Sequence, residues 1–346
     1  MFSSNKMNQY LMMFGVVVVC SYIGNRLNQS FQNKDEYDLV KKYLLNDSPL
    51  YGFNRPKIWI HSKYEINARK WKDFYSRNTT DLNQPYIHLT IKTIINHCGN
   101  DFNICLIDDE TFSKLIPSWD IDLTNVAEPM KSQYRELGMM QLLYYYGGMV
   151  LPNSTICLKN LKEFYNEGIN GNKPFVCENI NRNMNLLKQK NKLLFTPDIS
   201  FMGAAKNDET IKELIEFMKN TYRNPHFSSE TDFLGVNSQW CMEAIVQNKM
   251  NLIMGQRIGV KTQGRKQILL ENLMEEDFLD LSNDTVAIYI PREEILNRPK
   301  YQWFAVMSGE EILKSNMIVS KYLQASIVDS TNEYRAPTEM KSVVAI

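Results

Sequence analysis

The sequence predicts an α/β domain, a mixed sheet flanked by helices, standing behind an N-terminal membrane segment. Three observations carry this. Strand and helix patterns alternate from Pro56 onward, and polar residues follow the second strand, as in parallel α/β sheets. A long helical stretch closes on Gly147-Gly148, and the apolar Met149-Val150-Leu151 follows at once. One uncharged apolar run, Tyr10 to Gly24, stands apart from that pattern.

Composition narrows the function classes. The chain has 346 residues, with 39 basic and 39 acidic side chains and a formal charge of zero. A balanced chain is not a nucleic-acid binder that works by diffuse basic charge, because counterion release needs a basic surface. Hydrophobic residues make up 44% and aromatics 11%, enough for a sizeable core, so a disordered or fibrous chain is excluded. The six cysteines contain no C-x-x-C pair and there are only four histidines, which disfavours a structural zinc site. Runs such as Ile104-Cys105-Leu106 and Ile156-Cys157-Leu158 read as small buried hydrophobes; disulfides stay open for an oxidising compartment.

Residues 1–25 read as a signal anchor or a cleavable signal peptide. The apolar run is shorter than the roughly 20 residues that cross a bilayer squarely, and its flanking charges, Lys6 against Arg26 and Lys34, are balanced. The expected location is a single-pass membrane protein, the domain in an endomembrane lumen or outside, or a secreted protein if the segment is cleaved. N-x-S/T triplets start at Asn28, Asn46, Asn78, Asn153 and Asn283. Residues 26–54 form a stalk, residues 55–325 the globular domain and residues 326–346 a loose polar tail.

The domain opens with Arg55 to Ile60, a short apolar run after proline that reads as a buried strand. Helical patterns follow at 68–75 and at Ile87 to His97, where Ile87, Ile91, Ile94 and Ile95 repeat at helical spacing. Phe102 to Ile107 reads as a second strand ending in Asp108-Asp109-Glu110. A helix from Met130 to Tyr146 is expected to end in a left-handed cap at Gly147. Further strands are expected at Met149 to Leu151, Ile156 to Leu158, Pro174 to Cys177, Ile199 to Ala204 and Val286 to Ile290, with a helix from Asp208 to Tyr222 and a helical tail from Glu310 to Leu323.

Taken together, Leu106-Ile107-Asp108-Asp109-Glu110 after a strand, a helix ending in Tyr144-Tyr145-Tyr146-Gly147-Gly148, and the strand Met149-Val150-Leu151 resemble a known family. It is the sugar-nucleotide-dependent glycosyltransferases with a DXD-containing sugar-binding region, of the family 32 and capsular-polysaccharide-synthesis type. The resemblance covers about Pro56 to Tyr165 and continues weakly through Phe201 to Ala205. It implies a GT-A-like, Rossmann-type sheet, and transfer of a sugar from a nucleotide-sugar donor to a glycan or protein acceptor.

Such a sheet binds ligands outside the carboxyl ends of its strands. Asp108 and Asp109 are therefore candidates to bind the donor's base or ribose, or else caps of the helix starting near Thr111. Gly147 and Gly148 would let backbone approach the donor, or simply end the helix. The family's helical acid falls on Glu136 and its arginine on Met139, with Arg135 one turn away. Its Asp-x-Asp, whose carboxylates hold a divalent metal, falls on Pro152-Asn153-Ser154, so manganese or magnesium is not expected at that motif.

Asn153 and Ser154 remain donor-site candidates, and no catalytic residue is assigned. Without the metal, the basic stretch Arg257, Lys261, Arg265 and Lys266 is the candidate for neutralising the diphosphate, or is a solvated loop. Glu178, Asp198, Glu230 and Asp232 are unplaced alternatives for a metal. The other reading of the chain is a catalytically inactive, membrane-tethered binding or structural protein on the same fold.

Overall fold

The structure, a computed structural model, describes residues 55–62, 84–117, 119–179, 196–223, 230–275 and 278–329. The membrane run at 10–24, the stalk, the helix expected at 68–75, the triplets at Asn28, Asn46 and Asn78, and most of the loose tail lie outside the described residues. Among those residues no helix is long and apolar enough to cross a membrane.

Continuous apolar runs form the central strands because these strands are covered on both faces. In β1, Lys57–His61, Ile58 and Ile60 join one core cluster while Trp59 joins the other. The chain then crosses through α1, Tyr86–Cys98, whose buried Ile87, Ile91, Ile94 and Cys98 form one apolar stripe. It returns as β2, Asn103–Ile107, parallel to β1. A short helix α2, Thr111–Leu115, and the long α3, Met130–Tyr146, lead to β3, Gly148–Val150, parallel to β1 on its other edge. β1 thus lies between two parallel neighbours reached in opposite directions, the place where an open α/β sheet leaves a crevice at its carboxyl edge.

Beyond β3 the main sheet continues with β6, Pro197–Ala204, antiparallel to β3, then β5, Phe175–Glu178, and β7, Asn251–Ile253. Its order is β2-β1-β3-β6-β5-β7. The segment Thr155–Cys157, β4, leaves this sheet and pairs antiparallel with β8, Ala287–Tyr289. On the helical side, α4, Lys162–Gly168, precedes β5, while α5, Glu209–Arg223, and α6, Glu230–Val246, follow β6. α3, α5 and α6 supply the cluster around Trp59 and Val150; α1 and the C-terminal helices supply the other, giving three layers.

Some elements depart from expectation. Gly147 ends α3 at φ 68°, ψ −171°, extended on the positive side and not a left-handed helical cap, while its N–H still reaches the Leu143 carbonyl at 2.8 Å. Gly148 has φ 100°, and a Cβ there would lie 2.2 Å from the Lys57 carbonyl oxygen, so the close approach of β3 to β1 requires glycine. After α7, Leu270–Met274, α8, Arg292–Asn297, and α9, Gln302–Val306, the helical tail is two helices: α10, Gly309–Lys314, and α11, Ile318–Asp329. Ser315 breaks the run by adopting extended backbone, and its hydroxyl pairs with that of Ser320 at 2.6 Å. α11 continues beyond the boundary expected at 325.

Candidate functional site

A cleft of about 690 Å³ opens at the carboxyl ends of β1 and β3. His61 and the run Val150 to Ser154 line it from the sheet, Ser132, Arg135, Glu136 and Met139 from α3, and Tyr289, Arg292 and Glu293 from the far side. Positions 132, 135, 136 and 139 share one face of α3 because they repeat at helical spacing. The far wall is delivered by the small sheet: β8 pairs with β4, Ile290 donates its N–H to the Ser154 carbonyl at 3.0 Å, and α8 starts at Arg292.

Behind the cleft wall, Asp109 organises a charged cluster. It accepts from Arg135 Nε at 2.7 Å and from Arg135 Nη2 at 2.6 Å, a bidentate pair, and from His61 Nε2 at 2.9 Å. Burial works against the charge on Asp109, but the hydrogen bonds and charges of Arg135 and His61 outweigh it and hold the carboxyl below the usual range. Burial also lowers His61, against the pull of Asp109. Beside an ionised Asp109 carboxylate Nε2 is the donor of that pair, and the imidazole is stacked 5.7 Å from the Phe112 ring. Arg135 also reaches Glu128 at 3.2 Å.

Asp108 caps the turn before α2. Its Oδ1 accepts from the Thr111 N–H at 3.0 Å and the Thr111 hydroxyl at 2.6 Å. Of the adjacent acids, then, one serves the local turn and the other serves the cleft wall.

At the end of β3, Asn153 is buried with its amide engaged. Nδ2 donates to the His61 carbonyl at 3.2 Å, Oδ1 accepts from Arg292 Nη1 at 3.4 Å, and the Asn153 carbonyl accepts from Thr90. The Asn153 triplet is therefore closed to glycosylation in the folded protein. A divalent metal does not fit this strand end: Pro152 brings no side-chain oxygen, Ser154 is buried, and the one amide oxygen is already turned to a cation. Among the described residues no group of three or more His, Cys, Asp or Glu is gathered to hold a metal.

Other candidates sit away from the cleft lining. Gly147 and Gly148 lie at the amino end of β3, the opposite end from the cleft, where they allow close packing against Lys206 and Lys57. Arg257 pairs with Glu167 at 2.8 Å, Lys261 pairs with the buried Glu178, and Arg265 sits exposed in a turn at φ 61°. Asp198 accepts from Asn179 at 2.6 Å and from the Ser200 N–H at 2.9 Å. The side chains of Glu230 and Asp232 lie outside the described ones.

Sequence reasoning missed Arg292, Tyr289 and Glu293. Arg292 opens a six-residue helix after Pro291, a local signal that any surface helix gives; only the β4·β8 pairing brings it to Asn153.

The class that fold and site define is an α/β protein with a ligand-sized crevice at the carboxyl edge of a mixed sheet. The sequence matches no protein-family profile and no curated protein. Among solved structures it is similar to a chain titled "PaToxG Glycosyltransferase", at 15% identity and a TM-score of 0.33, over 64% of this chain and 81% of that one.

Proposed function

We propose that the cleft is a nucleotide-sugar site and that the protein transfers a sugar from such a donor to a glycan or protein acceptor. The observation that carries this reading is the convergence of two successive segments on one crevice. Glu136 of α3 and Asn153-Ser154 after β3, which the motif resemblance marks for donor binding, line one crevice. Asp109 supports the reading indirectly, by fixing Arg135 and His61 in the wall.

In such a transfer the bond from the anomeric carbon to the diphosphate oxygen breaks, and the electron pair leaves with the diphosphate. The acceptor hydroxyl oxygen bonds to that carbon and its proton passes to water. A membrane tether through residues 10–24, with the domain in a lumen or outside the cell, belongs to the same reading; recovery of the full chain in the carbonate-soluble fraction of membranes would remove it.

Calorimetric titration of the full chain with UDP, GDP, ADP and CDP, with and without manganese, tests the site. Micromolar to low-millimolar binding of at least one is expected, and no binding under either condition refutes the reading. A second reading, a donor-binding protein without transfer, is favoured by the neutral Asn153 at the strand end. Release of nucleoside diphosphate from the matching nucleotide sugar, measured with and without acceptor glycans, separates the two.

A further inference from the structure

Arg292 differs from the other arginine in the cleft. Arg135 is locked by two bonds to Asp109 and a third to Glu128. Arg292 has no carboxylate within 4.0 Å among the described residues, and its one described hydrogen bond is the long 3.4 Å contact to the neutral Asn153. Its Nε is buried with no hydrogen-bond partner. A guanidinium presents five donors in a planar fork suited to phosphate oxygens, and leaving buried donors unmade is unfavourable. Glu293 lines the same cleft without pairing with Arg292, its Oε2 accepting from the Tyr289 hydroxyl at 3.2 Å.

Position adds to this. Arg292 stands over the end of β3, where the resembled family presents carboxylates to a metal, and its Nη1 is directed at the only side-chain amide oxygen there. A metal and this guanidinium would compete for one place. The weak bond to Asn153 can be exchanged for stronger, charge-assisted bonds to an anion.

We propose that Arg292 holds the donor's diphosphate in the cleft, supplying in place of a divalent metal the positive charge at which the leaving group's charge develops. The proposal rests on the reading of the cleft as a nucleotide-sugar site. It assigns the role to a residue outside the basic stretch at 257–266, whose Arg257 and Lys261 are paired elsewhere.

The test uses the full chain and its Arg292→Ala and Arg292→Lys variants, titrated in EDTA and in manganese with the four nucleoside diphosphates, with pyrophosphate, and with the matching nucleosides. Expected are wild-type diphosphate binding in EDTA, and at least a tenfold loss of affinity for nucleoside diphosphate and pyrophosphate in Arg292→Ala. Arg292→Lys should fall between, with nucleoside affinity within twofold of wild type in both variants. Thermal melts check folding, and if the alanine variant fails to fold the lysine variant decides on the same ratio of diphosphate to nucleoside affinity. Wild-type binding that appears only with manganese, or a diphosphate affinity unmoved by substitution, overturns the proposal while the nucleotide-sugar reading stands. No nucleotide binding under any condition removes both.

Discussion

Asp109→Asn is the most informative single change outside the cleft lining. The native carboxylate accepts two hydrogen bonds from Arg135 and one from His61, with Arg135 only 11% and Asp109 22% exposed. Asparagine keeps the shape and one acceptor but turns an NH2 group toward a donor, either Nη2 of Arg135 or the Nε and His61 pair, and removes the charge. Hydrogen bonds to charged groups are worth about 1.5–3 kcal/mol each, and with one acceptor retained and partial solvent access the loss should be about 2–4 kcal/mol. That corresponds to a fall in Tm of about 5–10 °C for a domain of this size.

The assay is urea unfolding followed by tryptophan fluorescence, with the midpoint read at constant m. Because the folded-state carboxyl is held below its ordinary range, its stabilisation is complete above that range and is lost as pH falls through the depressed native value. The gap between wild type and variant should therefore be steady from pH 7 to about 5 and close below about pH 4. A double cycle with Arg135→Met should be less than additive by at least about 1 kcal/mol. A variant within about 0.5 kcal/mol of wild type at pH 7, or a gap that widens on acidification, would refute the reasoning.

Four further outcomes are expected. Gly148→Ala should cost about 4 kcal/mol or more, or abolish soluble expression, because φ is 100° and the new Cβ would meet the Lys57 carbonyl at 2.2 Å; thermal melting checks it. Glu178→Gln should cost about 2–4 kcal/mol in urea unfolding, since Glu178 is 1% exposed and accepts from Lys261 and from the Gly255 N–H, whereas Arg265→Ala in its exposed turn should leave stability and diphosphate affinity unchanged. Cys98, Cys105, Cys157, Cys177 and Cys241 are free and buried, and burial pushes Cys105 up to about 12, so these five should react with a thiol reagent at pH 8 only after denaturation. Rapid native labelling of any of them, located by peptide mapping, would contradict the packing.

The parts of the fold visible in the sequence are those whose signal is local. Ile58-Trp59-Ile60 and Met149-Val150-Leu151 are continuous apolar runs because both faces of the sheet are covered, and α1 carries its stripe at helical spacing. α3 runs from Met130 to Tyr146 as its sequence suggests, and Gly147 follows it. Less was legible where one residue type serves two purposes. Asp108 and Asp109 are adjacent and chemically alike, yet one bonds Thr111 three residues on and the other Arg135 across the fold. Nothing in a run of acids says which carboxylate faces outward from the turn. The basic stretch at 257–266 suggested free charge, but its partners Glu167 and Glu178 lie some ninety and eighty residues earlier.

By itself the sequence marked the central strands, the helices α1, α3 and α5, and the neutral Pro152-Asn153-Ser154 after β3. Periodicity and the absence of a carboxylate are properties of neighbouring residues and need no fold to be read. Only the tertiary structure decided which cation meets that strand end. Arg292 and Asn153 are 139 positions apart, and they meet because β4 leaves the main sheet to pair with β8, with α8 beginning three residues later. Contact at that separation is set by strand pairing and burial across the whole chain, and no short window of sequence contains it.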